Sequence, residues 1–141
     1  MRHRQVVVVG AGPVGLWLAA ELRLGGVEVL VLEAPTEPDP NSKALAIHPR
    51  TLEMLASRAL VHRFLAEGSR IPSGHFAALD TRLDFRLLDT SYQFTLSLPQ
   101  IRTEQLLEAH ARGRSRNQAR AARNRIDRAG RVDHRACRSE G

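Results

Sequence analysis

One six-residue run, Gly10-Ala11-Gly12-Pro13-Val14-Gly15, constrains this chain more than any other stretch. It follows directly on Gln5-Val6-Val7-Val8-Val9, a continuous β-branched run of the kind that forms a strand buried on both faces of a parallel sheet. Leu16, Leu18, Ala19, Ala20, Leu22 and Leu24 then read as a strongly apolar helix, which Gly25-Gly26 stops. Val27–Leu32 reads as a second buried strand, with Glu33 at its end. Strand, G-x-G-x-x-G, helix, strand and terminal acid fall within about 30 residues, the context that makes a glycine fingerprint informative. Each glycine has its own reason. Gly10 permits a tight turn, Gly12 lets backbone approach a pyrophosphate, and Gly15 lets helix and strand pack closely. The anion then meets unpaired N–H groups and the positive end of the helix dipole. Pro13, in the first turn, removes a donor the helix does not use. Glu33, 18 residues after Gly15, stands where an acid accepts hydrogen bonds from ribose hydroxyls. The unit predicts dinucleotide binding. Glu33 suits the ribose of FAD or of NAD.

Met1-Arg2-His3-Arg4 before an apolar stretch imitates a signal peptide. The glycines and Pro13 interrupt that stretch, and cleavage there would destroy the fingerprint, so the expectation is a cytoplasmic protein. No apolar run approaches the roughly 18–20 residues of a spanning helix. A single cysteine, Cys137, excludes an internal disulfide framework and a multi-cysteine zinc site. None of the six histidines pairs with a second ligand at a metal-binding spacing, and no G-x-S-x-G elbow or P-loop occurs.

The net charge of the 141 residues is +6, which taken alone suggests a nucleic-acid binder. Position removes most of that force. Residues 1–111 carry 11 cations and 12 acids, a net of −1, whereas residues 112–141 carry 10 arginines and 3 acids, a net of +7. The last 30 residues hold only Ile126 and Val132 as large aliphatics, and no aromatic on which a base could stack. They are expected to form a disordered, Arg-rich tail, and 1–111 a partial nucleotide-binding domain. A basic-tail protein that binds nucleic acid non-specifically is the alternative from another class.

Between these parts, Ala34–Asn41 reads as a Pro-rich loop, followed by Lys43, the only lysine. Helices are predicted over His48–Leu55 and Ala59–Leu65, with Leu52, Met54, Leu55, Leu60, Phe64 and Leu65 in the core. Ser73–Leu79 and Leu83–Leu88 suggest a hairpin. Tyr92–Leu98 alternates as a half-buried strand with Phe94, Leu96 and Leu98 inward. Arg102–Arg112 reads as an amphipathic helix, with Thr103 as its cap.

With these residues in view, the chain resembles the N-terminal part of the class A flavoprotein aromatic hydroxylases, in particular those of aromatic polyketide biosynthesis. The resemblance is carried by Val6–Leu16, Val29–Glu33, Lys43 through Ile47-His48-Pro49-Arg50-Thr51-Leu52-Glu53-Met54-Leu55, Ser73–Phe76, Leu83–Phe85 and Leu98-Pro99-Gln100-Ile101-Arg102-Thr103-Glu104. It implies an α/β fold, Rossmann-like in its βαβ unit and incomplete. It implies FAD as cofactor, with Gly10, Gly12, Pro13, Val14 and Gly15 along the diphosphate and Glu33 at the adenosine ribose. Lys43 takes the place of a family arginine near the phosphates, keeping the charge and losing the fork. Gln100 would contact the ribityl–flavin part, with Arg102 as a lesser candidate, and Arg50 is either structural or faces the cofactor. NAD(P)H would reduce FAD, and one atom of O₂ would pass to an aromatic small-molecule substrate. Catalytic residues and oligomeric state are not indicated. The resemblance ends near Arg112, where the family's further strand, β-rich substrate domain and Asp-Gly and Gly-Asp motifs do not follow. The expected cause is truncation or a frameshift in GC-rich DNA, and the expected consequence is a fragment without full activity.

Overall fold

A computed structural model describes residues 4–33, 44–75 and 79–117, with side chains as far as Gly113. The chain divides into two compact units, Met1–Pro40 with Leu107–Gly141, and Asn41–Leu106.

In the first unit, β1 (Val6–Val9) and β2 (Val29–Leu32) pair in parallel, Val6 opposite Val29 through Val9 opposite Leu32. The connecting helix α1 (Pro13–Leu24) covers one face of this pair. Side-chain alternation sends Val8, Val29 and Val31 to that face, where they form a buried cluster with Ala19, flanked by Val6, Ala11, Leu22 and Val27. Alternation also turns Val7 and Val9 to the opposite face, where they are 50% and 83% exposed. Parallel sheets are normally covered on both sides. Helix α1 ends in a Schellman motif. Gly26 adopts φ +80°, its N–H donates to the Arg23 carbonyl, and the Val27 N–H donates to the Leu22 carbonyl. Arg23, at 7% exposure, sends its guanidinium to the backbone carbonyl of Ala111 in α4 (Gln100–Asn117). Burial pushes its pKa down.

The second unit has a three-stranded antiparallel sheet in the order β3 (Ala46–Ile47), β7 (Thr95–Ser97), β4 (Ser69–Ile71). Helices α2 (Pro49–Ala56) and α3 (Val61–Glu67) supply buried Leu52, Leu55, Val61 and Phe64. Gly68 ends α3 where a Cβ would stand 2.6 Å from the buried Leu96 side chain. A hairpin pairs β5 (Ser73–His75) with β6 (Arg82–Asp84).

Several sequence expectations need correction. Leu83–Leu88 is not a strand throughout: Phe85–Leu87 is a 3₁₀ turn, because the Asp84 carboxylate caps the Arg86 N–H and also pairs with its guanidinium. Met54 is exposed, because the inner side of α2 is formed by Pro49, Leu52 and Leu55. The strand at 92–98 shortens to Thr95–Ser97. Phe94 is only half-buried, edge-on to Tyr92 and under the Arg70 guanidinium, while Thr95 is buried instead. Thr103 is no cap. Its N–H donates to the Pro99 carbonyl, so it lies inside a helix that starts at Gln100. That helix continues to Asn117, across the boundary drawn at 111/112. The Pro-rich loop with Lys43, residues 76–78, and residues 118–141 with Cys137 lie outside the described residues.

Candidate functional site

The loop between β1 and α1 is built by its glycines. Gly10 sits at φ +102°, a conformation side chains rarely adopt, and its N–H donates to the Leu32 carbonyl at 2.7 Å. Gly12 is the N-cap of α1, with extended backbone (φ −70°, ψ −179°), no side-chain cap, and only open space where a Cβ would stand. A Cβ at Gly15 would lie 2.0 Å from the Gly10 carbonyl oxygen, so helix and turn touch through backbone. Pro13 occupies the first helical position, and the first helical bond runs from the Leu16 N–H to the Gly12 carbonyl. The N–H groups of Val14 and Gly15 precede that bond and, with the helix dipole, favour an anion. Val14 is largely exposed beside them. Glu33, past the end of β2, reaches back 22 residues, and its Oε2 accepts a hydrogen bond from the Ala11 N–H. Gly10, Gly12, Pro13, Val14, Gly15 and Glu33 therefore come together in one place.

The remaining predicted site residues belong to the second unit. Gln100 opens α4. Its N–H donates to the Ala44 carbonyl at 3.0 Å and its side-chain amide to Glu104 at 2.8 Å. Arg102 forms a fork on Glu67, Nε to Oε2 at 2.8 Å and the second terminal nitrogen to Oε1 at 2.9 Å, and also reaches Gln105. Its guanidinium thus ties the first turn of α4 to the end of α3. Arg50 is exposed and pairs with Glu53 at 2.8 Å. Glu53 also accepts from the Thr90 hydroxyl at 2.7 Å, and these partners, Thr90 first, hold its carboxyl below the ordinary range. Sequence reading missed this contact. Its residues stand 37 apart, and no motif joins them. Glu53 and Asp89–Gln93 line an open hollow of about 540 Å³. Among the described residues no group of three or more His, Cys, Asp or Glu could hold a metal ion, and no helix is long and apolar enough to cross a membrane.

A parallel βαβ unit with an uncapped glycine turn and a carboxylate closing it defines a dinucleotide-binding protein. The particular family follows from comparison: residues 3–128 match the FAD binding domain, and the chain belongs to that family. It is 55% identical over 112 residues to the uncharacterized aromatic compound monooxygenase YhjG of Bacillus subtilis, covering 79% of this chain and 22% of that protein. It is 51% identical over 107 residues to a rifampicin monooxygenase of Streptomyces venezuelae, covering 75% and 22%. Among solved structures it matches the OxyS anhydrotetracycline hydroxylase of Streptomyces rimosus with a TM-score of 0.74 and 48% identity, over 78% of this chain and 22% of that one. The chain thus spans about 22% of the length of these proteins. The cofactor of the family is FAD, and the loop fits it. A diphosphate needs backbone free of side chains, and Gly12 offers open space where any other residue would place a Cβ.

Proposed function

We propose that this chain supplies the FAD-binding part of a flavin-dependent monooxygenase that hydroxylates aromatic, polyketide-like substrates with NAD(P)H and O₂. The observation that carries the proposal is the glycine turn closed by Glu33 at the uncapped start of α1. The names of the relatives, monooxygenases of aromatic compounds and rifampicin and a hydroxylase of anhydrotetracycline, support the substrate class.

In this reading the N–H groups around Gly12, Val14 and Gly15 take the diphosphate, with Gly10 and Pro13 shaping the turn. Glu33 accepts from the adenosine ribose; a phosphate role for Lys43, which lies outside the described residues, rests on the family resemblance alone. Gln100 contacts the ribityl–flavin part. Arg102 is the lesser candidate because Glu67 already engages its fork. The bound flavin supplies the redox chemistry, and the protein's task is to hold it and exclude water. We take the protein to be cytoplasmic, because Gly10, Gly12, Pro13 and Gly15 interrupt the apolar stretch that imitates a signal peptide, and without a specific nucleic-acid partner, because the first 111 residues are near neutral.

Colour tests the proposal. The purified chain is expected to be yellow, with flavin absorbance that Gly12→Asp abolishes by placing a carboxylate in the phosphate position. A colourless protein that takes up no added FAD would refute the assignment.

A further inference from the structure

We propose that Glu33 is a positioning residue for the glycine loop, and that the same carboxylate which meets the ribose also sets the shape of the diphosphate cradle. The inference rests on the FAD reading above for its ligand, but not for its geometry.

Two successive amides of the loop are strapped to the end of β2. The Gly10 N–H is held by the Leu32 backbone carbonyl, and the Ala11 N–H by the Glu33 side chain. The first strap needs only a peptide. The second needs a side-chain acceptor oxygen of the right reach, and it falls on the residue that leads the chain from the left-handed Gly10 into the extended Gly12. Without it, the Gly10–Ala11 peptide plane is free to turn, and the amides that follow it into α1 are displaced with it. With it, the peptide entering α1 has one orientation.

Two consequences follow. The Ala11 N–H is consumed, and Pro13 has none, so the anion-binding donors narrow to Gly12, Val14 and Gly15. A carboxylate also offers about four acceptor sites over its two oxygens. Oε2 can therefore keep Ala11 while Oε1 meets the ribose hydroxyls. One side chain then holds the loop and meets the ribose.

The test compares Glu33→Gln with Glu33→Ala in the full chain. Both variants are neutral, so the loss of a negative charge near the anion affects them equally. Only glutamine retains an oxygen that can accept from Ala11. Amide exchange at Ala11, measured by NMR without ligand, is expected to be about tenfold faster in the alanine variant than in the glutamine variant. Gly10, whose partner is backbone, serves as the internal control for folding and should stay protected in both. Inorganic pyrophosphate, which has no ribose, is expected to bind at least about fivefold more weakly to Glu33→Ala than to Glu33→Gln. Equal Ala11 exchange and equal pyrophosphate affinity in the two variants, with FAD binding weakened in both, would overturn the proposal and leave Glu33 a ribose ligand only. If the unaltered chain binds neither FAD nor pyrophosphate, the FAD reading fails, while the exchange of Ala11 still decides whether Glu33 holds the loop.

Discussion

Gly15→Ala puts the closest approach in the first unit under direct test. The added Cβ would stand 2.0 Å from the Gly10 carbonyl oxygen, 3.1 Å from its carbon and 3.4 Å from a Val8 methyl. Two of these atoms are backbone, so no side-chain rotation relieves the contact. Reaching an ordinary separation of about 3.5 Å requires the start of α1 to move away from the turn by about 1.5 Å. Overpacking of this kind costs about 1–3 kcal/mol of folding stability. The same movement carries the Val14 and Gly15 amides with it, and a hydrogen bond of about 2.9 Å lengthened by that amount is no longer a hydrogen bond. Losing one bond to a charged phosphate costs about 1.5–3 kcal/mol, or roughly 10- to 150-fold in FAD affinity.

Gly12→Ala is the control. Its backbone is extended and its Cβ would meet nothing within 4 Å. Alanine is a poorer N-cap than glycine but also narrows the unfolded ensemble, and the two effects offset. Urea titration should therefore separate the pair, with Gly15→Ala unfolding at lower denaturant and Gly12→Ala near the parent. Titration with FAD followed by flavin fluorescence should find both weakened. A Gly15→Ala protein as stable as the parent, with unchanged FAD affinity, would refute the reasoning.

Two further outcomes are expected. Arg23→Met keeps the aliphatic packing but removes the bond to the Ala111 carbonyl. It should cost about 1.5–3 kcal/mol by chemical denaturation. Thr90→Val removes the leading cause of the lowered Glu53 pKa. Stability contributed by a carboxyl with a lowered pKa is present above the unfolded value and lost as pH falls through the folded one. The variant should thus be less stable than the parent at neutral pH, and the gap should close toward about pH 3, below the ordinary carboxylate range, as followed by urea midpoints across pH.

The βαβ unit was legible because its signals are local and agree. Four valines in a row, a turn that favours glycine and a two-glycine stop each point to one conformation. The second unit was less legible because its partners are distant. Ser69-Arg70-Ile71 has no alternation to mark it as a strand and is exposed along its length, and only its antiparallel pairing with Thr95–Ser97 makes it one. The 3₁₀ turn at Phe85 depends on one side-chain cap within an apolar pattern that otherwise suits a strand. At Phe94 the alternation is one residue out of phase with what is buried, because Thr95 goes inward, its hydroxyl without a hydrogen-bond partner among the described residues. The glycine loop was recognisable from its spacing. The Glu33–Ala11 bond was not, since an acid expected at a ribose gives no sign that it also grips the turn.

The valines that define β1 have a second effect. Val8 is in the core, but Val7 and Val9 turn a methyl-rich strip outward. Exposed apolar patches favour self-association. Such a strip bears on colloidal behaviour, the concentration at which the chain stays dispersed, rather than on the stability of its fold. Sulfate, which strengthens apolar association and usually stabilises proteins, then acts in two directions at once. It tightens the core beneath Val8 and draws separate molecules together through Val7 and Val9.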